Sequence, residues 1–339
     1  VRQSHSHSKR DLLETCPRRY FYEYYASSLK EQSGSPGACV QRSLFDDDPV
    51  GPATRFSSDR IPLARQLKRL SGCFLLAGDI LHQLIALHLK KRSDWAVQWF
   101  LDKACERYDE AVTYSRDPMA NACLADQQYP PPILMEFFYN DPRADERSGE
   151  ARQKLLGAIQ NFFQTTSVVE LSQKLLEDDP RIEVRVTLDK LDGFGLEGRV
   201  DLAGRDAQGV QVVDWKMGRR TGNNDSLQLV TYGWWAAKEY DVDPTCVRVR
   251  RVFLADPTIE EDRPLSESLL RRGKARIIQD VELMKQMDIY GQAGNEEAFS
   301  PCEIENVCRQ CKYQALCPAN RSGLTSKRIS GLSAAVETA

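Results

Sequence analysis

Two aspartates and one lysine stand where they can do chemistry together. Asp201 closes the run LEGRVD, Asp214 lies in VVDWK, and Lys216 follows Asp214 by two residues. Both runs read as strands, and on a strand the side chains of Asp214 and Lys216 leave the same face. Paired carboxylates hold hard divalent cations through oxygen. A neighbouring ammonium can orient or help deprotonate a water, or stabilise charge developing on a phosphoryl group. A cation held there polarises a phosphoryl oxygen and lowers the pKa of its water. The chemistry such a set carries is hydrolysis of a phosphodiester. An Asp-x-Lys triplet alone recurs by chance, so the weight falls on its order and surroundings.

A second set is made of sulfur. Cys308 and Cys311 are spaced C-x2-C, and Cys317 follows after five residues, in CRQCKYQALC. Three thiolates need a fourth to close a tetrahedral site. Cys302 is close in sequence, and Cys16, in TCPRRYFYEY, is far away; spacing leaves both open. A zinc knuckle brings two close pairs. One pair, a single residue and a distant fourth favour an iron–sulfur cluster over zinc. Cys39, Cys73, Cys105, Cys123 and Cys246 have no ligand spacing and read as buried or incidental thiols.

The elements that must position these groups come in two textures. Residues 9–26 predict a helix started or broken at Cys16-Pro17. Residues 31–60, with Gly, Ser, Pro and three consecutive aspartates, predict a long loop. Helices are predicted at 78–92, 94–113 and 149–178, with a Pro-rich break over 115–132. Strands are predicted at 182–188, 194–204 and 209–216, then a helix at 225–240, a strand at 246–254 and a charged helix at 263–288. Helices followed by a strand meander, helix, strand and helix describe an α/β (α+β) core with a helical insertion. The tail after 320 is rich in Ser, Gly and Ala.

Composition sets limits. The chain has 339 residues, 41% hydrophobic and 28% charged, enough apolar residues for a sizeable core. A net charge of −3 excludes a uniformly basic glove for nucleic acid. No uninterrupted apolar stretch approaches the roughly 18 residues of a membrane span, and no apolar leader follows the first basic residues. No membrane contact and a cytoplasmic setting are therefore expected. Ten cysteines in a reducing compartment point to metal or cluster ligation rather than a disulfide framework.

Five motif islands stand in order: GDILH with Gly78 and His82, IEVRV at 182–186, LEGRVDLAG with Gly198 and Asp201, VVDWKMG with Asp214, Lys216 and Gly218, and QLVTY with Gln228 and Tyr232. In this the chain resembles the RecB-type branch of the PD-(D/E)xK nuclease superfamily. It resembles further the subgroup with an iron–sulfur cluster, which includes AddB-like and CRISPR-adaptation nucleases and has a Cys-Pro-Arg-aromatic signature matched by Cys16-Pro17-Arg18-Arg19-Tyr20. The resemblance implies a restriction-endonuclease-like core and a single nuclease domain over 1–320. Within it 90–178 would be the helical insertion, 180–290 the catalytic core and 300–318 the cluster segment, with 321–339 a flexible tail. It implies Mg²⁺ or Mn²⁺ held by His82, Asp201, Asp214 and the carbonyl of Trp215. Lys216 would serve the attacking water, and Gln228 and Tyr232 would position the DNA backbone or the Lys216 region. Glu183 matches an acidic position ahead of the Gly-x-x-Asp strand. A [4Fe-4S] cluster on Cys16, Cys308, Cys311 and Cys317 would staple the two ends of the domain, with Cys302 a spare.

The function so implied is a deoxyribonuclease, an exonuclease acting on DNA ends or single strands in repair, recombination or defence. The other reading is a catalytically latent or inactive DNA-binding scaffold within a larger complex. No GxxxxGK[ST] run is present, so any motor would come from a partner such as a helicase. Basic clusters at Arg18-Arg19, Lys90-Lys91-Arg92, Arg219-Arg220, Arg248-Arg250-Arg251 and Arg271-Arg272 with Lys274 and Arg276 are most often solvated faces. Arg219 and Arg220, just after Lys216, are the best phosphate candidates. The aromatics Tyr20, Phe21, Tyr22, Tyr24 and Tyr25 are expected to pack near the cluster rather than to stack on bases.

Overall fold

The computed structural model describes residues 4–29, 56–117, 130–191, 194–218, 227–256 and 258–318. Most of the expected loop over 31–60, the tail, Arg219, Arg220, Cys39 and Cys123 lie outside the described residues. The chain starts with β1 (Ser4–His5), α1 (His7–Thr15) and α2 (Pro17–Tyr24). Pro17 opens α2 because a first-turn residue needs no N–H, and Cys16 caps it, its sulfur accepting the N–H of Arg19. Next come α3 (Ile61–Lys68), α4 (Cys73–Lys91), α5 (Val97–Arg116), α6 (Met135–Phe138), α7 (Ala144–Gln164) and α8 (Thr166–Glu177). After β2 (Arg181–Leu191), β3 (Phe194–Asp206) and β4 (Gly209–Lys216) follow α9 (Leu227–Glu239), β5 (Val247–Phe253), β6 (Thr258–Pro264), α10 (Glu267–Gln292) and α11 (Glu305–Arg309).

The chain divides into two compact units. One joins Gln3–His7 to Ser71–Val281 and holds the sheet, ordered β1-β3-β4-β5-β6 with β2 also paired to β3. The sheet is mixed: β3 runs antiparallel to β2 and β4, β5 is parallel to β4, and β6 is antiparallel to β5. Parallel neighbours need a crossover, and α9 supplies it between β4 and β5. Apolar residues of α4, α5, α7 and α8 form one core with Leu202, Val213, Trp215 and Val252 of the strands. The segment read as a helical insertion thus shares its core with the sheet.

The helix α4 is long and apolar enough to meet the length and hydropathy of a membrane span, which the count of uninterrupted apolar residues missed. Its Leu76, Ala77, Ile80, Leu81, Leu84, Ile85 and Leu89 are buried in that core. Two other expectations change. The helix expected over 149–178 is two helices, divided at Thr165, whose backbone is extended. The helix expected from 263 begins at Glu267, because Thr258–Pro264 pairs as an edge strand with β5.

The other unit joins Ser8–Leu70 to the stretch from Glu282. Tyr20, Phe21, Tyr22 and Tyr25 are buried there. Phe21 lies 5.1 Å from Phe299 and Tyr22 5.4 Å from Tyr313, ring to ring. These aromatics are core, and Gly291 lies so close to the Tyr25 ring that a Cβ would stand 2.6 Å from it.

Candidate metal centre and cysteine cavity

The candidate metal centre begins where two strands part. The β3–β4 ladder runs from Asp206↔Gly209 to Leu202↔Val213 and then stops. The Asp201 carboxylate takes over: its Oδ2 accepts the backbone N–H of Trp215 at 2.7 Å. Its Oδ1 lies 3.3 Å from Nδ1 of His82, which α4 brings over the sheet. The carbonyl of Lys216 is taken by the N–H of Leu254. Successive carbonyls of a strand alternate, so that of Trp215 turns to the β3 side. The Trp215 indole is buried in the core, edge-on to Phe162 at 5.4 Å.

Glu183 joins this group from β2. The register Ile182↔Leu202 and Val184↔Val200 brackets Glu183 against Asp201. Two carboxylates directly opposite each other on neighbouring strands repel. Glu183 also has φ +52, left-handed for a residue with a Cβ. Its Oε1 is 3.9 Å from His82 Nδ1, and one ligand atom each of His82, Glu183 and Asp201 falls within 4.8 Å of the others. Burial and the Asp201 charge push the Glu183 carboxyl up. Burial opposes a charge on His82, but Asp201, Asp214 and Glu183 outweigh it and raise the imidazole's pKa. One imidazole nitrogen and two carboxylates packed this tightly are a donor set that suits a hard divalent cation.

Asp214, 2% exposed, falls opposite Asp201 at the position after Leu202↔Val213. Its Oδ2 lies 2.8 Å from Lys216 Nζ and 3.5 Å from Nε of Arg251, its register partner on β5. Burial pushes the Asp214 carboxyl up, Lys216 and Arg251 pull against that, and Asp201 adds to it. Gln228 donates to the Tyr232 hydroxyl at 2.9 Å from one turn away on α9. The Tyr232 ring lies on β3 at Gly198, where a Cβ would stand 2.7 Å from it. The strand glycine therefore admits the α9 tyrosine.

A model of the PD-(D/E)XK nuclease superfamily matches residues 74–318, well over half of the chain. The chain belongs to that superfamily. PD-(D/E)XK nucleases use divalent metals, and the His82, Glu183 and Asp201 group answers that need. A search of curated proteins gives no match. Among solved structures the chain is similar to one described as "Crystal structure of SSO0001", at 16% identity over 67% of this chain and 98% of that one, with a TM-score of 0.29.

This PD-(D/E)XK chain has a second ligand set in its other unit. Cys16, Cys302, Cys308, Cys311 and Cys317 line one cavity with Arg18, Arg19 and Tyr22. The four sequence candidates are together there, and so is Cys302. The Cys302 sulfur lies 3.5 Å from that of Cys308, and its backbone N–H donates to the Cys16 sulfur at 3.4 Å. The Cys311 sulfur accepts the N–H of Tyr313 at 3.4 Å. Burial pushes the Cys16 and Cys302 thiols up, and Cys311 up to about 12. Thiols that resist ionisation yet converge on one cavity fit a soft metal or cluster, which displaces their protons on binding.

Glu183 carries more weight than sequence reasoning assigned it, and Arg251, grouped there with a solvated basic cluster, is buried at Asp214 instead. Val247-Arg248-Val249-Arg250 alternates, and Arg251 breaks the alternation, placing a charge where an inward residue is due. That break was the available signal.

Proposed function

We propose that the protein is a RecB-type deoxyribonuclease that hydrolyses phosphodiester bonds at DNA ends or in single strands. His82, Glu183, Asp201, Asp214 and the Trp215 carbonyl are the groups that would hold Mg²⁺ or Mn²⁺. Bound there, the cation would supply a Lewis acid for the phosphoryl oxygen and favour ionisation of water. The residues do the rest. Asp201 fixes the two strand ends with one oxygen and faces His82 with the other. Arg251 and Lys216 hold Asp214 in its buried place. Lys216, exposed by about a third at its side chain, stands at the rim, where it can take or give a proton at the attacking water and stabilise phosphoryl charge. Tyr232, tied to Gln228, backs the strand that carries Asp201.

The observation that carries this reading is the meeting of His82, Glu183 and Asp201 at the parting of β3 and β4, beside the Asp214–Lys216 pair. For the cysteine cavity we propose a [4Fe-4S] cluster on Cys16, Cys308, Cys311 and Cys317. The experiment uses end-labelled single- and double-stranded DNA with protein purified without oxygen and supplied with Mg²⁺ or Mn²⁺. Cleavage by the wild type that EDTA and Lys216→Ala both abolish supports the nuclease. A folded, metal-loaded protein that cleaves neither substrate refutes a free-standing nuclease and favours the scaffold reading. Brown colour with matching iron and sulfide supports the cluster; a colourless protein with stoichiometric zinc refutes it.

A further inference from the structure

One surface of the sheet-bearing unit is used by none of these groups. The helix α4 ends at Arg92, whose φ of 48 is left-handed, and the chain turns into α5. Trp95 stands in that turn, 41% exposed. Its ring lies 4.3 Å from that of Trp99, at 47°. Trp99 meets Phe100 edge-on at 5.0 Å, and Phe100, fully buried, lies 4.7 Å from Phe163. The outer indole is therefore mounted on a rigid aromatic stack. No other large apolar side chain is exposed over residues 88–103, so the spot is too small for a dry protein interface.

The residues that lead into the indole are mainly cationic. Lys90, Lys91 and Arg92 are exposed just before it in sequence, with Asp94 the acid in the turn, and Arg92 donates to the Leu176 carbonyl. Lys90 stands eight residues beyond His82 on the same helix, about 12 Å at the α-helical rise. Cations leading into an exposed indole match a strand of phosphates carrying free bases. A duplex offers no such fit along its length, because its bases are already stacked on one another.

We propose that Trp95, backed by Trp99, stacks a base of single-stranded DNA whose phosphates lie on Lys90 and Lys91 and which runs along α4 towards the metal centre. Trp95 is thus a substrate-positioning residue, and its direction of use rests on the nuclease reading above. Base–aromatic stacking and phosphate contacts make separate, measurable contributions.

The test measures binding apart from cleavage. Lys216→Ala protein in EDTA is titrated with fluorescent oligothymidylate of about 12 nucleotides and with a blunt duplex of similar length. Added Trp95→Ala should weaken single-strand binding about tenfold or more, while Trp95→Phe keeps most of it and the duplex affinity moves far less. Added Lys90→Gln should lower the salt slope of single-strand binding by about one. An oligonucleotide carrying 5-iodouracil should photocrosslink to Trp95, read by mass spectrometry, which does not depend on a variant's folding. Unchanged single-strand affinity in Trp95→Ala, an equal loss for the duplex, or crosslinks only elsewhere overturns the platform. Cleavage by the wild type is read separately. A protein that binds through Trp95 yet cuts nothing keeps the platform and loses the nuclease reading. One that cuts with Trp95 irrelevant does the reverse.

Discussion

Glu183 is held under two adverse conditions, a left-handed backbone and a carboxylate facing Asp201 across the strand pair. Strain of this kind, about 1–3 kcal/mol, persists where the surroundings impose it and gathers at functional sites. We predict that Glu183→Asn, which tolerates the left-handed region and removes the charge, stabilises the protein by about 1 kcal/mol in EDTA. The same change should shrink the rise in melting temperature that Mn²⁺ gives the wild type. Melting curves with and without Mn²⁺ check both; a variant less stable in EDTA, or one with a full Mn²⁺ response, contradicts the assignment. Lys216→Ala should behave oppositely, keeping the Mn²⁺ response while cleavage falls about 10²–10⁴-fold, the usual contribution of a positioned acid or base. At this scale Asp201, Asp214 and Lys216 were legible from order and spacing. The opposition of Glu183 and Asp201 was not, because it follows from a strand register that no local pattern states.

Elements were legible where their period was strong. The run 182–188 alternates and 209–216 reads as a strand, and the structure has strands at both; the edge strand Thr258–Pro264 has no reading of its own before residue 263, because its charged run shows no period-2 pattern. Helix α2 owes its start to Cys16 and Pro17, but what it docks on depends on a residue far away. Glu296 accepts Arg18 at 2.9 Å and Arg60 at 2.7 Å, and the Tyr22 hydroxyl also donates to it. Burial works against its charge, but those partners outweigh it and hold the carboxyl below its ordinary 4.5. A depressed carboxyl contributes stability that is present above the unfolded value and is lost as pH falls through the folded one. We predict that Glu296→Gln costs about 3–5 kcal/mol near pH 7, as when one partner of a buried ion pair is removed. The difference from wild type should narrow below about pH 4.5, in denaturant melts run from pH 7 to 3. A pH-independent difference would show that shape, not charge, is what Gln fails to replace. Gly198→Ala tests the other element junction. Its Cβ would meet the Tyr232 ring, and overpacking of about 1–3 kcal/mol should follow, relieved by the double variant with Tyr232→Phe only if the ring shifts when its hydroxyl tie to Gln228 is cut. Thermal melts of the three variants decide it.

At the scale of the whole molecule, two ligand sets of opposite chemistry sit in different units. Oxygen and imidazole gather on the sheet, and sulfur gathers in the unit formed by Ser8–Leu70 and the stretch from Glu282. The sulfur set draws Cys16 from one of those stretches and Cys302, Cys308, Cys311 and Cys317 from the other, so whatever binds it closes a long loop of chain. The spacing of the triplet made this set legible, whereas the presence of Cys302 at the Cys308 sulfur needed the fold. A group that binds only the folded state stabilises it by mass action, and stability is distributed locally. We predict that Cys308→Ala with Cys311→Ala speeds hydrogen exchange first in residues 16–25 and 299–317, while exchange in β3 and β4 and calorimetric Mn²⁺ binding stay close to wild type. Uniformly faster exchange would mean that the two units unfold as one, and loss of Mn²⁺ binding would mean that the sulfur set also builds the metal centre. If only Cys302→Ala is made, the sulfur that touches Cys308 is gone but the four proposed ligands remain. Iron content should then hold, and a loss of one cluster per chain would move Cys302 into the ligand set in place of one of them.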